Sequence, residues 1–330
     1  MDIVCLGELL VDMFPAEQGR RLVEVSAFLP KPGGAPANAA VAAARLGAES
    51  AFIGKVGDDA FGHHLAEVLH ENGVDTRGIR FDDEARTTMA FIAKPDANHQ
   101  EFVFYRNPGA DTRLRADELD RGLLEETRVL HFGSLSLGAE PIRSATWEAV
   151  ALVRQAGALI SFDVNYRPTL WDSPQRAHEQ ITAMIPQANL LKLNEVELEL
   201  LTGSQDPAAS RTLLSMGPQL VVVTLGPEGS TFATVDGGEH VPPFAVNAVD
   251  ATGCGDAFIA GLWRQLLASR DWRDQLRSPR LREILRYANA VGALTAQKVG
   301  VIPALPTAAQ VDRFLISAPP ARRVPGTPEQ

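Results

Sequence analysis

The stretch VDATGCGDAFIAG, residues 249–261, places two glycines and a cysteine between two aspartates, directly ahead of an apolar run. From Ala257 to Leu267 the apolar residues recur at helical spacing, so the glycines lie at a helix N-terminus. Such an end offers unpaired backbone N–H groups and the positive end of the helix dipole, and glycine lets an anion approach the backbone closely. The turn 253–255 is therefore a candidate phosphate site.

Asp256 is the acid inside this turn. One interpretation is purely structural: Asp250 or Thr252 caps the helix and Asp256 favours its positive end, which stabilises a helix by about 0.3–2 kcal/mol. A bound phosphate would repel a carboxylate, however, so a phosphate site that contains one indicates a use for it. We expect Asp256 to deprotonate an attacking hydroxyl while backbone N–H groups stabilise the transferring phosphoryl group.

Outside this motif, short apolar strands alternate with amphipathic helices. The predicted strands are 2–7, 50–57, 128–134, 158–165, 188–194 and 220–226, and the predicted helices are 36–47, 59–72, 141–156, 173–186, 194–202 and 206–216. Apolar strands that are each followed by a helix are typical of a parallel sheet covered on both faces, so we predict a doubly wound α/β core. The segments 11–30 and 86–106, the latter turning around 94–100, predict a small antiparallel sheet beside it, with ordinary edge hairpins as the alternative.

Composition excludes several classes of protein. The 330 residues carry a formal net charge of -10, which argues against general binding to nucleic acid or anionic membranes. The first apolar run lacks a preceding basic segment and no apolar stretch reaches about 18 residues, so we expect neither a signal peptide nor a membrane span. With only Cys5 and Cys254, a disulfide framework is not expected. We expect a cytoplasmic protein whose tail, 317–330, is disordered.

Polar residues at two further places are candidates for ligand binding. GGAPANAA (33–40) opens an alanine-rich helix with Asn38 in its first turn, and Asp12 follows the first strand. Ligands of open α/β sheets bind at the carboxyl ends of strands, so Asp12 and Asn38 are candidates for holding adjacent sugar hydroxyls. A glycine turn followed by an asparagine near the helix cap is the structural alternative.

Two more polar patterns follow later strands. FDVNYRPTLW (162–171) sets Asp163, Asn165 and Arg167 at alternate positions, hence on one side of an extended segment. Asn194 and Glu197 form an Asn-x-x-Glu pattern that fits an N-cap, and a role in holding a metal-bound water near phosphates is the alternative.

The motifs GGAPANAAVAAARLG (33–47) with GKVGDDAFG (54–62), and VDATGCGDAFIAG, resemble the signature regions of the PfkB-type, or ribokinase-like, carbohydrate kinases. The resemblance extends over nearly the whole chain. It implies a three-layer α/β/α core with a mostly parallel central sheet in a single kinase domain, 1–316. It also implies that 11–30 and 86–106 form a β-sheet lid, through which a homodimer assembles. Within the family, EFVFYRNPGAD (101–111), DVNYRPTLW and LNEVELELLTG look most like fructokinases.

The resemblance also implies roles for individual residues. Asp256 would be the general base, and the backbone anion hole would consist of Gly253, Cys254 and Gly255. The sugar would be bound by Asp12, Gly33, Gly34, Asn38, Arg106, Asn165 and Arg167. ATP would be bound by Asn194, Thr224, Gly226, Gly229, Gly253, Gly255 and Asn289. Magnesium would be organised through water by Asn194 and Glu197, and potassium by Asp250, Thr252, Thr295, Lys298 and Gly300.

Cys254 departs from the family pattern, in which this position is usually alanine. The anion hole uses backbone N–H groups, so the thiol should be tolerated. Because the residue lies at a helix N-terminus, we expect a lowered thiol pKa and susceptibility to oxidation.

The implied reaction is phosphorylation of the 6-hydroxyl of D-fructose by ATP. A kinase of 2-keto-3-deoxygluconate is an alternative, because Arg106 and Arg167 can bind a carboxylate as readily as a phosphate. A kinase of the same family that acts on another sugar is a further alternative. A non-catalytic sugar or nucleotide sensor on the same fold is another, although the presence of Asp256, Asn194 and Glu197 favours catalysis. A nucleotide-binding dehydrogenase is disfavoured because the first strand lacks the Gly-x-Gly-x-x-Gly fingerprint.

Overall fold

The computed structural model describes residues 1–17, 19–96, 99 and 101–317. Its strands are β1 (Ile3–Leu6), β2 (Leu10–Pro15), β3 (Phe28–Gly33), β4 (Ser50–Gly57), β5 (Val74–Asp82), β6 (Met89–Ala93), β7 (Glu101–Tyr105), β8 (Val129–Gly133), β9 (Leu159–Asp163), β10 (Leu190–Asn194), β11 (Leu220–Thr224), β12 (Ser230–Thr234) and β13 (Gly237–Val241). Its α-helices are α1 (Ala35–Arg45), α2 (Ala60–Glu71), α3 (Arg121–Glu126), α4 (Ile142–Ala156), α5 (Pro174–Met184), α6 (Glu195–Thr202), α7 (Ser210–Leu214), α8 (Cys254–Leu266), α9 (Ser278–Thr295) and α10 (Ala308–Ser317).

The strands form a large sheet and a small one. The large sheet has nine strands in the order β13-β12-β11-β10-β9-β8-β1-β4-β5. The strands from β11 to β5 run parallel, and β12 and β13 are antiparallel additions at one edge. The second sheet has four strands in the order β3-β2-β6-β7. The predicted three-layer core with a mostly parallel sheet and a small second sheet is therefore confirmed.

The sequence predicts an antiparallel small sheet, and this prediction is wrong for one of its three strand pairs. The pairs β2–β3 and β6–β7 are antiparallel, but β2 and β6 pair in parallel, with Val11 opposite Met89. Each predicted segment forms an antiparallel hairpin, and the two hairpins pair through their first strands, β2 and β6. The turn predicted at 94–100 lies partly outside the described residues, and so does the tail apart from Ser317.

Both faces of the large sheet are buried, which explains its continuous apolar strands. Along β1, Ile3 and Cys5 point into the core shared with α1 and α8, while Val4 and Leu6 point into the core shared with α4 and α5. All four side chains are fully buried. Burying an aliphatic side chain contributes about 1.5–3 kcal/mol, so these alternating positions fix the strand register against both helix layers.

The predicted strand and helix positions are largely confirmed, and two helices are shorter than predicted for identifiable reasons. The helix predicted at 173–186 ends at Met184, since Pro186 lies in the 3₁₀ turn that follows. The helix predicted at 206–216 is reduced to α7, because Asp206 caps a separate 3₁₀ turn that begins at Pro207. Among the described residues, no helix is both long and apolar enough to cross a membrane.

Candidate active site

A cleft of about 580 Å³ lies between the carboxyl ends of the parallel strands and the small sheet. Strand ends supply Asp163, Asn194 and Thr224, while Phe102 and Phe104 of β7 cover the opposite side. The sequence-predicted residues that line it are Asp12, Gly34, Asn38, Asn165, Arg167, Asn194, Glu197, Thr224, Gly226, Asp250, Thr252, Gly253, Gly255 and Asp256. Residues from across the chain therefore converge as the parallel topology predicts.

Asn38 and Asp256 meet at the centre of this cleft. Nδ2 of Asn38 donates a 2.9 Å hydrogen bond to Oδ2 of Asp256. The pKa of Asp256 is raised to about 6: burial is the main cause, the hydrogen bond from Asn38 opposes it, and the negative charge of Asp163 adds to it. Oδ1 of Asn38 is buried without a hydrogen-bond partner among the described residues, so it can accept a hydrogen bond from a ligand.

Asp12 is buried on the lid side of the cleft. Burial is the main cause that raises the pKa of this carboxyl to about 7; the charge of Asp256 adds to it and that of Arg167 opposes it. Gly33 lies against Asp12, and a Cβ at this glycine would be 2.1 Å from Oδ2 of the carboxyl. Gly33 thus makes room for the Asp12 side chain, although it does not itself line the cleft.

The glycine turn that opens α8 has the conformation of a close-approach site. Gly253 has φ 76°, and a Cβ there would lie 2.2 Å from Cγ1 of Val301, so this position requires glycine. Gly253 and Gly255 line the cleft, whereas the N–H of Cys254 donates to the carbonyl oxygen of Ala251 at 3.2 Å. The anion site predicted at all three residues therefore rests mainly on the two glycines.

The expectation of a reactive Cys254 is wrong. The pKa of the Cys254 thiol is raised to about 12, primarily by burial and then by the negative charges of Asp250 and Asp256. These effects outweigh the favourable influence of the helix N-terminus. The thiol lies 3.8 Å from the carbonyl oxygen of Asp250 and is held in the protonated form.

Arg106 does not line the cleft. Its guanidinium forms a buried ion pair with Asp111, at 2.6 Å from Nη2 and 2.8 Å from Nε. Thr88 also donates to this carboxylate, at 2.5 Å, which joins the start of β6 to the end of β7. Arg106 thus stabilises the base of the small sheet, and Arg167 is the arginine in the cleft wall.

Two residues predicted near the nucleotide also lie outside the cleft wall. Nδ2 of Asn289 donates to the carbonyl oxygens of Val241 and Pro242, both at 3.2 Å. Gly229 packs against the same segment, because a Cβ there would lie 2.4 Å from the oxygen of Val241. Both residues therefore fix the end of β13 against its neighbours.

Asn194 and Glu197 form the capping box of α6. Oδ1 of Asn194 accepts from the N–H of Glu197, and Oε2 of Glu197 accepts from the N–H of Asn194, both at 2.9 Å. Oε1 of Glu197 accepts from the N–H of Tyr166 at 2.8 Å. These bonds confirm the capping interpretation. Since Mg²⁺ in nucleotide sites keeps several waters and binds mainly to phosphates, the remaining lone pairs suit an ion held through water.

Asp250 joins the loop before α8 to the loop after α9. Its Oδ1 accepts from the N–H and hydroxyl of Thr252 at 3.0 and 2.7 Å, and its Oδ2 accepts from the N–H of Gly300 at 3.0 Å. Within the described ranges this carboxylate forms no salt bridge, so its charge suits a nearby monovalent cation. The hydroxyl of Thr295 donates a hydrogen bond to a carbonyl oxygen within α9, and Lys298 is exposed. These residues can therefore offer a cation only their backbone carbonyl oxygens.

Lys192 and Glu8 are among the ionisable residues that line the cleft and that the predicted site residues omit. Nζ of Lys192 lies 2.7 Å from Oδ2 of Asp163, and both side chains are buried. Oε1 of Glu8 accepts from the N–H of Ala35 at 3.0 Å, and burial raises the pKa of Glu8 to about 7. The only signal in the sequence is a lysine within the apolar strand LLKLN (190–194) and a glutamate following the first strand.

The chain is similar to known fructokinases in sequence and in fold. Probable fructokinase-2 of Arabidopsis thaliana is 46% identical over 315 residues, which is 95% of each chain. Fructokinase-1 of Zea mays is 45% identical over 318 residues, 96% of this chain and 98% of the relative. A double-mutant fructokinase of Vibrio cholerae O395, solved with fructose, ADP and a potassium ion, matches with a TM-score of 0.86 at 33% identity, covering 95% of this chain and 98% of that one.

The family match covers both sheets and the cleft between them. Residues 1–308 match the sequence model of the pfkB family of carbohydrate kinases. This range includes both signature motifs and every cleft residue described above. The chain therefore belongs to the pfkB family of carbohydrate kinases and has the ribokinase-like α/β fold.

Proposed function

We propose that this protein is an ATP-dependent fructokinase that transfers the γ-phosphate of ATP to the 6-hydroxyl of D-fructose. The observation that carries the proposal is the position of Asp256. It is a buried carboxylate with a pKa raised to about 6, next to a glycine turn at a helix N-terminus and hydrogen-bonded to Asn38. The fructokinases with 44–46% identity to this chain support fructose as the sugar.

The sugar end of the cleft provides acceptors and donors for adjacent hydroxyls. The carboxyl group of Asp12 and the unpartnered Oδ1 of Asn38 accept hydrogen bonds from the sugar, and Arg167 donates. Asn38 also holds Oδ2 of Asp256, which leaves Oδ1 of that carboxylate to take the proton from the attacking hydroxyl. A general base placed in this way typically contributes about 10²–10⁴ to the rate.

The phosphate end is built around the start of α8. The N–H groups of Gly253 and Gly255, with the positive end of the helix dipole, stabilise negative charge on the transferring phosphoryl group. Thr224 and Gly226 flank the path of the nucleotide. Asn194 and Glu197 would hold Mg²⁺ through water, and the ion would neutralise phosphate charge. Asp250 and the carbonyls of the 295–300 loop would hold potassium.

We further propose that residues 1–316 act as one kinase domain, with 11–30 and 86–106 as its lid, and that the lid mediates a homodimer. On β7, Phe102 and Phe104 face the cleft, so the pleat turns Val103 and Tyr105 outward, where they are 43% and 67% exposed. Light scattering of the wild type should give twice the monomer mass, and Tyr105→Glu should reduce it. A monomeric wild type would contradict the proposed dimer.

We propose that the protein is located in the cytoplasm. Its two cysteines are free, as expected in a reducing compartment, and its proposed substrate ATP is present there. Antibody staining or fractionation of the source cells tests this. Recovery in an oxidising compartment would contradict it.

The proposed substrate is tested by ADP release from ATP across fructose, 2-keto-3-deoxygluconate, ribose, glucose and tagatose 6-phosphate. We expect the highest kcat/KM for fructose. A preference for 2-keto-3-deoxygluconate would instead indicate that Arg167 binds a substrate carboxylate. No phosphorylation of any sugar, with ATP still bound, would support a sensor in place of an enzyme.

A further inference from the structure

The buried pair Lys192–Asp163 has no role in the mechanism above. Lys192 lies on β10 and Asp163 on β9, directly opposite each other in the parallel register. Nζ of Lys192 contacts Oδ2 of Asp163 at 2.7 Å, and the two side chains are 7% and 5% exposed. Both line the cleft. Burying two charges is unfavourable in itself, so an ion pair retained in a ligand cleft indicates a function beyond stability.

The ammonium group lies against the glycine turn. A Cβ added to Gly255 would be 3.2 Å from Nζ of Lys192, and Gly255 directly precedes Asp256. Oδ1 of Asp163 is buried and accepts no hydrogen bond within the part of the chain that the structure describes. Lys192 is therefore held by Asp163 on one side and faces the turn on the other.

The surroundings of Asp256 hold charges of both signs. The titratable and charged groups that interact with it are Asp12, Asp163, Lys192, Arg167, Cys5 and Cys254. Lys192 and Arg167 favour the ionised carboxylate, whereas the acids and burial oppose it. Of the two cations, Lys192 is the one whose position is fixed by a buried partner.

We propose that Lys192, anchored by Asp163, is a positioning residue that keeps Asp256 ionised beside the triphosphate of ATP. This inference rests on the proposed kinase function. Without a fixed positive charge at the turn, the approach of a polyphosphate would drive a proton onto Asp256 and disable it as a base. The ion pair with Asp163 restrains the ammonium group of Lys192, so that this group does not form an ion pair with the carboxylate of Asp256 instead.

The two partners of one ion pair should shift the titration of Asp256 in opposite directions. Lys192→Met removes a positive charge, so the pKa of Asp256 should rise, by about half to one pH unit. Asp163→Asn removes a negative charge, so the pKa should fall by a similar amount. The double variant removes both charges and should lie close to the wild type. An ion pair that does not act on the charge of Asp256 would produce no such opposition.

The direct measurement is ¹³C NMR titration of proteins labelled at the aspartate carboxyl carbon, with the Asp256 signal assigned from its loss in Asp256→Asn. The matched control is Lys55→Met, which removes another buried lysine of the large sheet, paired with Asp82 and Glu118 outside the cleft. Lys55→Met should leave the Asp256 titration unchanged. Opposite shifts in the two single variants support the proposal; unchanged titrations, or shifts in the same direction, overturn it.

A second readout is the pH dependence of kcat/KM for fructose at saturating ATP. The acidic limb should move to higher pH in Lys192→Met and to lower pH in Asp163→Asn. If the wild type phosphorylates no sugar, the proposed function fails, and the NMR titration still decides whether Lys192 controls the charge of Asp256. If a single variant fails to fold, the double variant and the remaining single variant provide the comparison: coincident titrations of these two would overturn the proposal.

Discussion

Asn38 and Asp256 are 218 positions apart in the sequence, yet Nδ2 of Asn38 donates a 2.9 Å hydrogen bond to Oδ2 of Asp256. The bond joins the first turn of α1 to the first turn of α8. It therefore links a residue proposed to bind sugar hydroxyls to the residue proposed as the general base. With these proposed roles, the contact would couple substrate binding to proton transfer.

Asp12→Ala should weaken sugar binding much more than ATP binding. Asp12 lies at the end of the cleft next to the small sheet, and its carboxyl group is proposed to accept from sugar hydroxyls. Loss of a hydrogen bond to a charged group costs about 1.5–3 kcal/mol, so KM for the sugar should rise about 10- to 100-fold. Steady-state kinetics with both substrates varied measures this. Asp236→Ala, in the exposed turn after β12, is the control and should leave both KM values unchanged. Equal loss of both affinities in Asp12→Ala would point to misfolding.

The rate should depend on pH through Asp256. Its folded pKa is about 6, and only the deprotonated form can accept the proton of the hydroxyl. The kcat/KM for the sugar should therefore rise with pH through an acidic limb near pH 6 and level off above it. Arg167→Met removes a positive charge that favours the ionised carboxylate of Asp256, so the limb should move to higher pH. A limb that stays in place in this variant would show that another group controls it.

Potassium should increase activity if the loops around Asp250 bind it. Oδ2 of Asp250 holds the N–H of Gly300, so an ion at this place would stabilise the loop that adjoins the phosphate turn. Titration with KCl at constant ionic strength, with tetramethylammonium chloride as the balancing salt, should raise kcat severalfold. Asp250→Asn should weaken the response. Equal activity in the two salts would show that potassium does not bind at this place.

Glu8→Gln should change how stability depends on pH. Burial raises the pKa of Glu8 from 4.5 to about 7, so between those values the folded chain holds a proton that the unfolded chain lacks. The free energy of unfolding contributed by this group therefore falls as pH rises from about 4 to about 7. The variant keeps an acceptor for the N–H of Ala35 but has no such penalty, so it should gain about 1–3 kcal/mol relative to wild type at pH 8 and nothing at pH 4.5.

Urea unfolding of the free protein at the two pH values measures this difference. Glu125→Gln, at an exposed position of α3, is the control and should show equal stability relative to wild type at both values. A Glu8→Gln variant that is destabilised at pH 8 would show that the ionised carboxylate is well accommodated in the fold.

Periodicity predicted most of the large sheet because burial on both faces leaves a clear pattern. The strand predicted at 50–57 coincides with β4. The strand predicted at 188–194 contains β10, which begins two residues later, at Leu190. β5 was missed because VDTRGIRFD (74–82), at the edge of the sheet, mixes buried and exposed positions without a regular period and contains three charged side chains before its last residue. α9 was also missed: its start, SPRLREILR, carries as many charges as a surface loop.

The motifs predicted the residues of the turn at α8, but the buried charges depend on tertiary contacts. Lys192 lies in an apolar strand, and only the register between β9 and β10 brings it to Asp163. The opposite error concerns Arg106. A motif predicts that this residue binds the sugar, whereas in the fold it pairs with Asp111. The thiol of Cys254 shows the same limit, because helix position alone predicted the wrong direction of its pKa shift.

The central claim is that Asp256 is the base for transfer of phosphate to fructose, and the most direct measurement compares wild type with Asp256→Asn by ³¹P NMR of the products, together with calorimetric binding of ATP. We predict that the wild type forms fructose 6-phosphate and ADP, and that the variant binds ATP normally but turns over about 10²–10⁴ times more slowly. Near-normal turnover by Asp256→Asn, or phosphate on another hydroxyl of the sugar, would contradict the account.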